Sequence, residues 1–180
     1  MLRIVLLLVL IVAIALLVPR LLSRGSGSMP TVGSAAPGFT LPSQEGSPVS
    51  LQDYRRKWVV LYFYPEDQTP GCTREAHNFE VDQPKYPARN AVVLGVSVDS
   101  VESHKKFCAK EGLNFKLLAD TNGKVTKEYG SLNNLGVVKF AARHTFLIDP
   151  NGKIAKVYPS VDAKGHSEEV LAALDQLQKQ

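Results

Sequence analysis

The sequence predicts an α/β fold: a mixed central sheet with helices on both faces. Three observations carry this. Trp58–Tyr64 (WVVLYFY) and Ala91–Val98 (AVVLGVSV) are continuous apolar, β-rich runs, the pattern of strands buried on both sides. A helical stretch from Pro70 to about Val81 lies between them, so strand, helix and strand follow one another as a right-handed βαβ unit. Further on, HTFLID (144–149) and IAKVY (154–158) flank Pro150-Asn151-Gly152, a strong hairpin signal that brings antiparallel strands to the same sheet.

The remaining elements follow in order. FTLPSQEGSPVSL (39–51) reads as a short hairpin around Glu45-Gly46. The first helix ends near Pro84 and Pro87. Ser100 is placed to cap a helix over Val101–Glu111, with Gly112 as its stop. FKLLAD (115–120) is a short strand followed by an Asp-Thr-Asn-Gly turn, and KVTKEYG (124–130) is a solvated helix. Val170, Leu171, Leu174 and Leu177 form the apolar stripe of a last helix that packs on the sheet.

The chain has 180 residues, 44% of them hydrophobic, which suits one globular domain plus extras. The N-terminus is such an extra. Ile4–Val18 has no polar residue; Arg3 precedes it, and Pro19, Arg20 and Arg24 follow. Residues 1–24 therefore read as a secretory signal or a membrane anchor, with attachment through residues 4–22. The poor cleavage site favours the anchor, and a chain that is membrane-anchored or exported, on a side that the flanking arginines do not decide. Residues 25–33 read as a flexible linker and residues 34–180 as the folded domain. The net charge of +4 arises mostly from this extension: without its three arginines, 18 basic residues face 17 acidic ones. No nucleic-acid footprint is expected. Two cysteines do not make a disulfide scaffold, so they are candidates for chemistry.

Cys72 stands in FYPEDQTPGCT (63–73), directly after the first buried run. Thr69 occupies the N-cap position, Pro70 the first helical position and Cys72 the third. Unpaired backbone amides and the positive end of the helix dipole favour a thiolate there. The site also follows the carboxyl end of a buried strand, where α/β sheets place their ligands. Glu66, Asp67 and Glu75 oppose the thiolate, so a compensating cation is needed. Spacing alone leaves open whether Cys72 is a nucleophile or a small buried residue.

The order Pro65-x-x-x-Thr69-x-x-Cys72 resembles the peroxiredoxin signature. The longer FYPEDQTPGCTREAHNF, with VVLGVSVDSVESHKKF, LLAD and ARHTFLIDPNGKI after it, is similar to the peroxiredoxin Q branch, also called bacterioferritin comigratory protein. The resemblance covers about residues 30–180. It implies a thioredoxin-like fold and a thiol peroxidase acting on hydrogen peroxide and organic hydroperoxides, with no metal or organic cofactor. Cys72 would be the peroxidatic cysteine and Arg143 the active-site arginine. Thr69 would cap the helix and hydrogen-bond the peroxide, and Pro65 would shield the pocket. If strand 144–148 runs antiparallel to 58–64, Arg143 arrives beside Cys72 as the missing cation.

Many members of the branch carry a resolving cysteine five residues after the first; here that position is His77. Others place it on the next helix, which makes Cys108 the expected resolver and a thioredoxin-like protein the expected reductant, with the chain acting as a monomer. Cys72 and Cys108 would then meet only after local opening, since a disulfide needs Cα atoms within about 7 Å. A one-cysteine cycle using an external thiol is the alternative. A second alternative, from a different class, is a metal module built from Cys72, His77, His104 and Cys108. Disulfide carriers with C-x-x-C are disfavoured because position 75 is Glu75. His144 and His166 show no partner in the sequence and read as structural or solvated.

Overall fold

The computed structural model describes residues 27–179. The strands are β1 (Thr40–Pro42), β2 (Pro48–Ser50), β3 (Trp58–Phe63), β4 (Ala91–Ser97), β5 (Lys116–Ala119), β6 (Leu132–Asn134), β7 (Lys139–Ala141), β8 (His144–Ile148) and β9 (Ile154–Tyr158). The helices are α1 (Pro70–Asp82), α2 (Val101–Glu111), α3 (Lys124–Glu128) and α4 (His166–Leu177). Five strands form the central sheet in the order β5-β4-β3-β8-β9. β3, β4 and β5 are parallel, while β8 and β9 are antiparallel to their neighbours.

Alternation along β3 divides the core. Val60, Tyr62 and Tyr64 face a layer formed by Phe79 of α1, Phe107 and Cys108 of α2, and Val170 and Leu174 of α4. Val59, Leu61 and Phe63 face the other layer, with Leu41, Val49, Val125 of α3, Tyr129 and Phe146. The long apolar runs are thus strands covered on both sides, as their lack of alternation predicts. Tyr62 pairs in register with Gly95, and Phe63 with His144. A Cβ at Gly95 would lie 2.6 Å from Leu117 and 2.8 Å from the Tyr62 phenol, so that position needs glycine for room.

The hairpins at Glu45-Gly46 and Asn151-Gly152 form as expected, and Ser100 caps α2 by accepting from the Ser103 amide. The β6–β7 hairpin is an addition. Its tip carries Leu135, Val137 and Val138 in the open, which masks any alternation of apolar and polar residues. Residues 27–33, the described part of the expected linker, lie against the domain. Gly33 donates to the Ile154 carbonyl at 2.8 Å, and a Cβ on Gly130 would strike Met29.

The segment over 1–24 lies outside the described residues. The expectation of a membrane-anchored or exported chain is corrected: among the described residues, no helix is long and apolar enough to cross a membrane. The physical reason is length, since the longest helix among the described residues, α1, has 13 residues. That is a rise of about 20 Å against a hydrocarbon core of about 30 Å.

Candidate active site

The loop after β3 turns sharply before α1. Gln68 adopts φ 60°, the left-handed region where a non-glycine residue is strained. Thr69 then takes the N-cap position with Pro70 first in the helix. The expected cap does not form: the Thr69 hydroxyl turns back and donates to the Glu66 carbonyl at 3.1 Å. The first amides of α1 are left without a side-chain acceptor, and their positive end stands at Cys72, which is 2% exposed. Pro65 opens the loop and lines a pocket of about 320 Å³ with Val98, Val138 and Phe140.

Arg143 sits immediately before β8. Because β8 runs antiparallel to β3 and His144 is opposite Phe63, Arg143 is delivered to the end of the sheet where Cys72 lies. Its Nη2 donates to Cys72 Sγ at 3.2 Å, and its Nη1 donates to the Glu75 carboxylate. Gly71 permits this approach, since a Cβ there would stand 3.3 Å from Nη2. Glu75 is 1% exposed. Burial pushes its carboxyl up to about 7, and the pull of Arg143 in the other direction is the smaller effect. Burial works against the Arg143 charge as well, but Glu75 and Cys72 outweigh it and hold the guanidinium above its ordinary value. The sequence marks Glu75 as an opposing charge; in the fold it anchors the cation that offsets it.

Cys108 is 8% exposed, and both thiols are free. They belong to one apolar layer on the same face of the sheet. Burial, then the carboxylates of Asp67, Glu45 and Glu80, push the Cys108 thiol up to about 12. The two cysteines thus have opposite surroundings: a guanidinium beside Cys72, acidic groups around Cys108. Tyr62 shares their layer with a buried hydroxyl that has no partner. Burial, and next Glu75, Cys72 and Cys108, hold its phenol protonated well above the usual range.

A buried polar cluster links the Cys72 loop to α2, and sequence reasoning missed it. The Asp67 carboxylate accepts from the Tyr64 hydroxyl at 2.8 Å and the Ser103 hydroxyl at 2.7 Å, and lies 2.9 Å from His104 Nδ1. Burial alone would raise the Asp67 carboxyl; the His104, Ser103 and Tyr64 contacts outweigh it and hold the group below its ordinary value. The Asp67 amide in turn donates to Asp99 at 3.1 Å. The only trace of this in the sequence is that His104 falls on the inner face of a helix.

The histidines have local partners. His77 meets Glu111 at 2.8 Å, His144 meets Ser131 at 2.9 Å, and buried His166 lies 2.8 Å from the Thr145 hydroxyl. With His77 and His104 each on a carboxylate, the supposed Cys/His metal set is not assembled. Among the described residues, no group of three or more ligating side chains could hold a metal ion.

Residues 32–157 match the AhpC/TSA family. The chain belongs to that family. It is a peroxiredoxin, a thiol-dependent peroxidase with a thioredoxin-like fold. It is 39% identical to the peroxiredoxin Bcp of Bacillus subtilis over 147 residues, covering 79% of this chain and 94% of that relative. The solved structure of a Xylella fastidiosa PrxQ mutant superposes with a TM-score of 0.78 at 37% identity, covering 83% of this chain and 98% of the other. A Xanthomonas campestris bacterioferritin comigratory protein, seen in trapped intermediate and ligand complexes bearing on alkyl peroxide reduction, superposes with a TM-score of 0.72 at 35% identity. There the coverage is 77% of this chain and 90% of that one. The peroxiredoxin resemblance in the signature around Cys72 thus extends along the whole domain.

Proposed function

We propose that this peroxiredoxin reduces hydrogen peroxide and organic hydroperoxides at Cys72, resolves the product with Cys108 of the same chain as a monomer, and is recycled by a thioredoxin-like reductant. The observation that carries the reading is the 3.2 Å contact between Arg143 Nη2 and Cys72 Sγ at an uncapped helix start. A guanidinium beside the sulfur is the electropositive setting of a reactive cysteine. The sulfur attacks one peroxide oxygen; the O–O bond breaks, and the other oxygen leaves as water or alcohol. Cys72 becomes a sulfenic acid. Charge grows on the leaving oxygen in the transition state, where Arg143 and the free amides of the first turn are donors already in place. Thr69, with its hydroxyl oriented by Glu66, hydrogen-bonds the peroxide, and Pro65 screens the site from water. At 2% exposure, Cys72 needs a small loosening of the first turn to admit its substrate.

In the second half of the cycle the Cys108 thiol attacks the sulfenic sulfur. An S–S bond forms, the S–O bond breaks, and hydroxyl and thiol proton leave as water. A dithiol reductant then reopens the bond by exchange. The test compares peroxide consumption by wild type, Cys72→Ser and Cys108→Ser with a thioredoxin system, followed by non-reducing mass analysis. Cys72→Ser is expected to show no turnover. Cys108→Ser is expected to consume about one peroxide per chain and stall, by the stoichiometry of a single sulfenic acid. Undiminished cycling by Cys108→Ser would assign a one-cysteine cycle instead.

A further inference from the structure

We propose that Asp67, with Ser103 and His104, is the latch that governs how fast Cys108 reaches oxidised Cys72. This rests on the reading of Cys108 as resolver. Asp67 lies five residues before Cys72, in the loop that feeds α1. His104 lies one helical turn before Cys108 on α2. A single carboxylate therefore ties the segment carrying one thiol to the helix carrying the other. Asp67 Oδ2 takes both α2 partners, Ser103 Oγ at 2.7 Å and His104 Nδ1 at 2.9 Å, while Oδ1 takes the Tyr64 hydroxyl from the end of the sheet.

The other end of α2 is held to α1 as well, by the His77–Glu111 contact at 2.8 Å and by Glu80 accepting from the Asn114 amide at 2.7 Å. Those contacts are exposed, and exposed ion pairs contribute little. The Asp67 pair is different: its side chains are 2% and 0% exposed. Removing one partner would leave a buried polar group unsatisfied, so this contact dominates the polar hold on α2. Both thiols are free and buried on separate helices, so on the resolver reading the Cys72–Cys108 bond forms when the start of α2, the first turn of α1, or both give way.

The same layer contains groups that opening would satisfy. Among the described residues, the buried side-chain atoms without a hydrogen-bond partner include His104 Nε2, Tyr62 Oη and Glu75 Oε1: Tyr62 shares the layer of the two thiols, Glu75 shares the Arg143 guanidinium with Cys72, and His104 lies one turn before Cys108. Each would gain water in an open state. The closed arrangement is therefore held by the Asp67 carboxylate against groups that favour release. Weakening the latch should leave the attack on peroxide alone and speed the step that follows. Asp67, Ser103 and His104 act as positioning residues, through the helix and not on the reacting atoms.

The experiment is a single turnover of the full chain. Reduced wild type, Asp67→Asn and Ser103→Ala are each mixed with one equivalent of hydrogen peroxide and quenched over time. Sulfenic acid is trapped with dimedone, and disulfide is counted by mass. Hydrogen exchange of 101–108 is followed in parallel. The expected result is sulfenic acid formation within about two-fold of wild type, with disulfide formation faster by about ten-fold in Asp67→Asn, by the loss of a buried charged hydrogen bond. A gain of about three-fold is expected in Ser103→Ala, which loses one of the hydrogen bonds to that carboxylate. Exchange over 101–108 should rise in step. Ser103→Ala, which favours helix, decides the matter if Asp67→Asn fails to fold. A wild type that forms the Cys72–Cys108 bond, with variants no faster than it, overturns the latch alone. A wild type that never forms that bond overturns the resolver reading and the latch with it.

Discussion

Arg143 Nη2 lies 3.2 Å from Cys72 Sγ while Nη1 of the same guanidinium holds the buried carboxylate of Glu75. One cation serves two neighbours in a fixed fork, a geometry that a lysine ammonium does not reproduce. Arg143→Ala is therefore expected to slow oxidation of Cys72 by peroxide about 10²–10³-fold, the range for losing an oxyanion donor. Arg143→Lys should fall between, since charge remains and the fork does not. Stopped-flow mixing with trapping of the sulfenic acid reads this directly. A rate for Arg143→Ala within two-fold of wild type would remove Arg143 from the chemistry.

Glu75 sets a pH dependence of stability. Its carboxyl moves from 4.5 in the ordinary state to about 7 in the fold. Between those values the folded chain keeps a proton that the unfolded chain has released. The contribution is therefore fully present below 4.5 and is lost as pH rises through 7. The gap corresponds to about 3 kcal/mol. Urea unfolding of wild type and Glu75→Gln across pH 4.5–8 tests it. Subtracting the two curves isolates Glu75 from His144 and His166, whose lowered values give stability that is present above pH 6.5 and lost as pH falls. A flat difference curve would contradict this account.

Cys108 should be inert in the reduced, folded protein. With its thiol pushed up to about 12, almost none is thiolate at neutral pH. Iodoacetamide at pH 8 is expected to label Cys108 at least about 100-fold more slowly than the same cysteine in denatured chain, given its burial and suppressed thiolate. Peptide mapping by mass spectrometry gives both rates. Equal labelling in the two states would show that Cys108 is not held as described.

The Tyr62–Gly95 contact makes opposite demands on two substitutions. Gly95→Ala forces a methyl to within 2.8 Å of the Tyr62 ring, and overpacking of this kind costs about 1–3 kcal/mol. Tyr62→Phe removes a hydroxyl that has no partner, so its effect on stability should stay within about 1 kcal/mol of zero. Chemical denaturation measures both. A large loss in Tyr62→Phe would reveal a hydrogen bond at that hydroxyl.

The elements were legible where the code is local. Trp58–Phe63, Ala91–Ser97 and the Asn151-Gly152 hairpin announce themselves by apolar runs and turn chemistry. Ser100 and Gly112 bracket α2 to the residue. Cys72 and Arg143 were legible because a family signature surrounds each. The polar groups of the interior were not. In the sequence Glu75 and Asp67 read only as charges that oppose the thiolate, and the packed fold shows that Glu75 meets the Arg143 guanidinium and Asp67 a buried donor set. The cap at Thr69 failed for a related reason: its hydroxyl has a competing acceptor in Glu66, and spacing does not choose between two local hydrogen bonds. The β6–β7 hairpin was missed because its tip exposes the apolar residues that normally mark an interior.

The sequence separation between Cys72 and Arg143 has a consequence for the growing chain. The sulfur and its guanidinium are 71 residues apart, and they meet only when β8 has paired with β3. A half-made polypeptide, with β3, α1 and β4 in place but β8 still to come, holds the thiol without that guanidinium. The pair is completed by the last strands of the sheet, so the chemistry proposed for Cys72 waits on completion of the sheet.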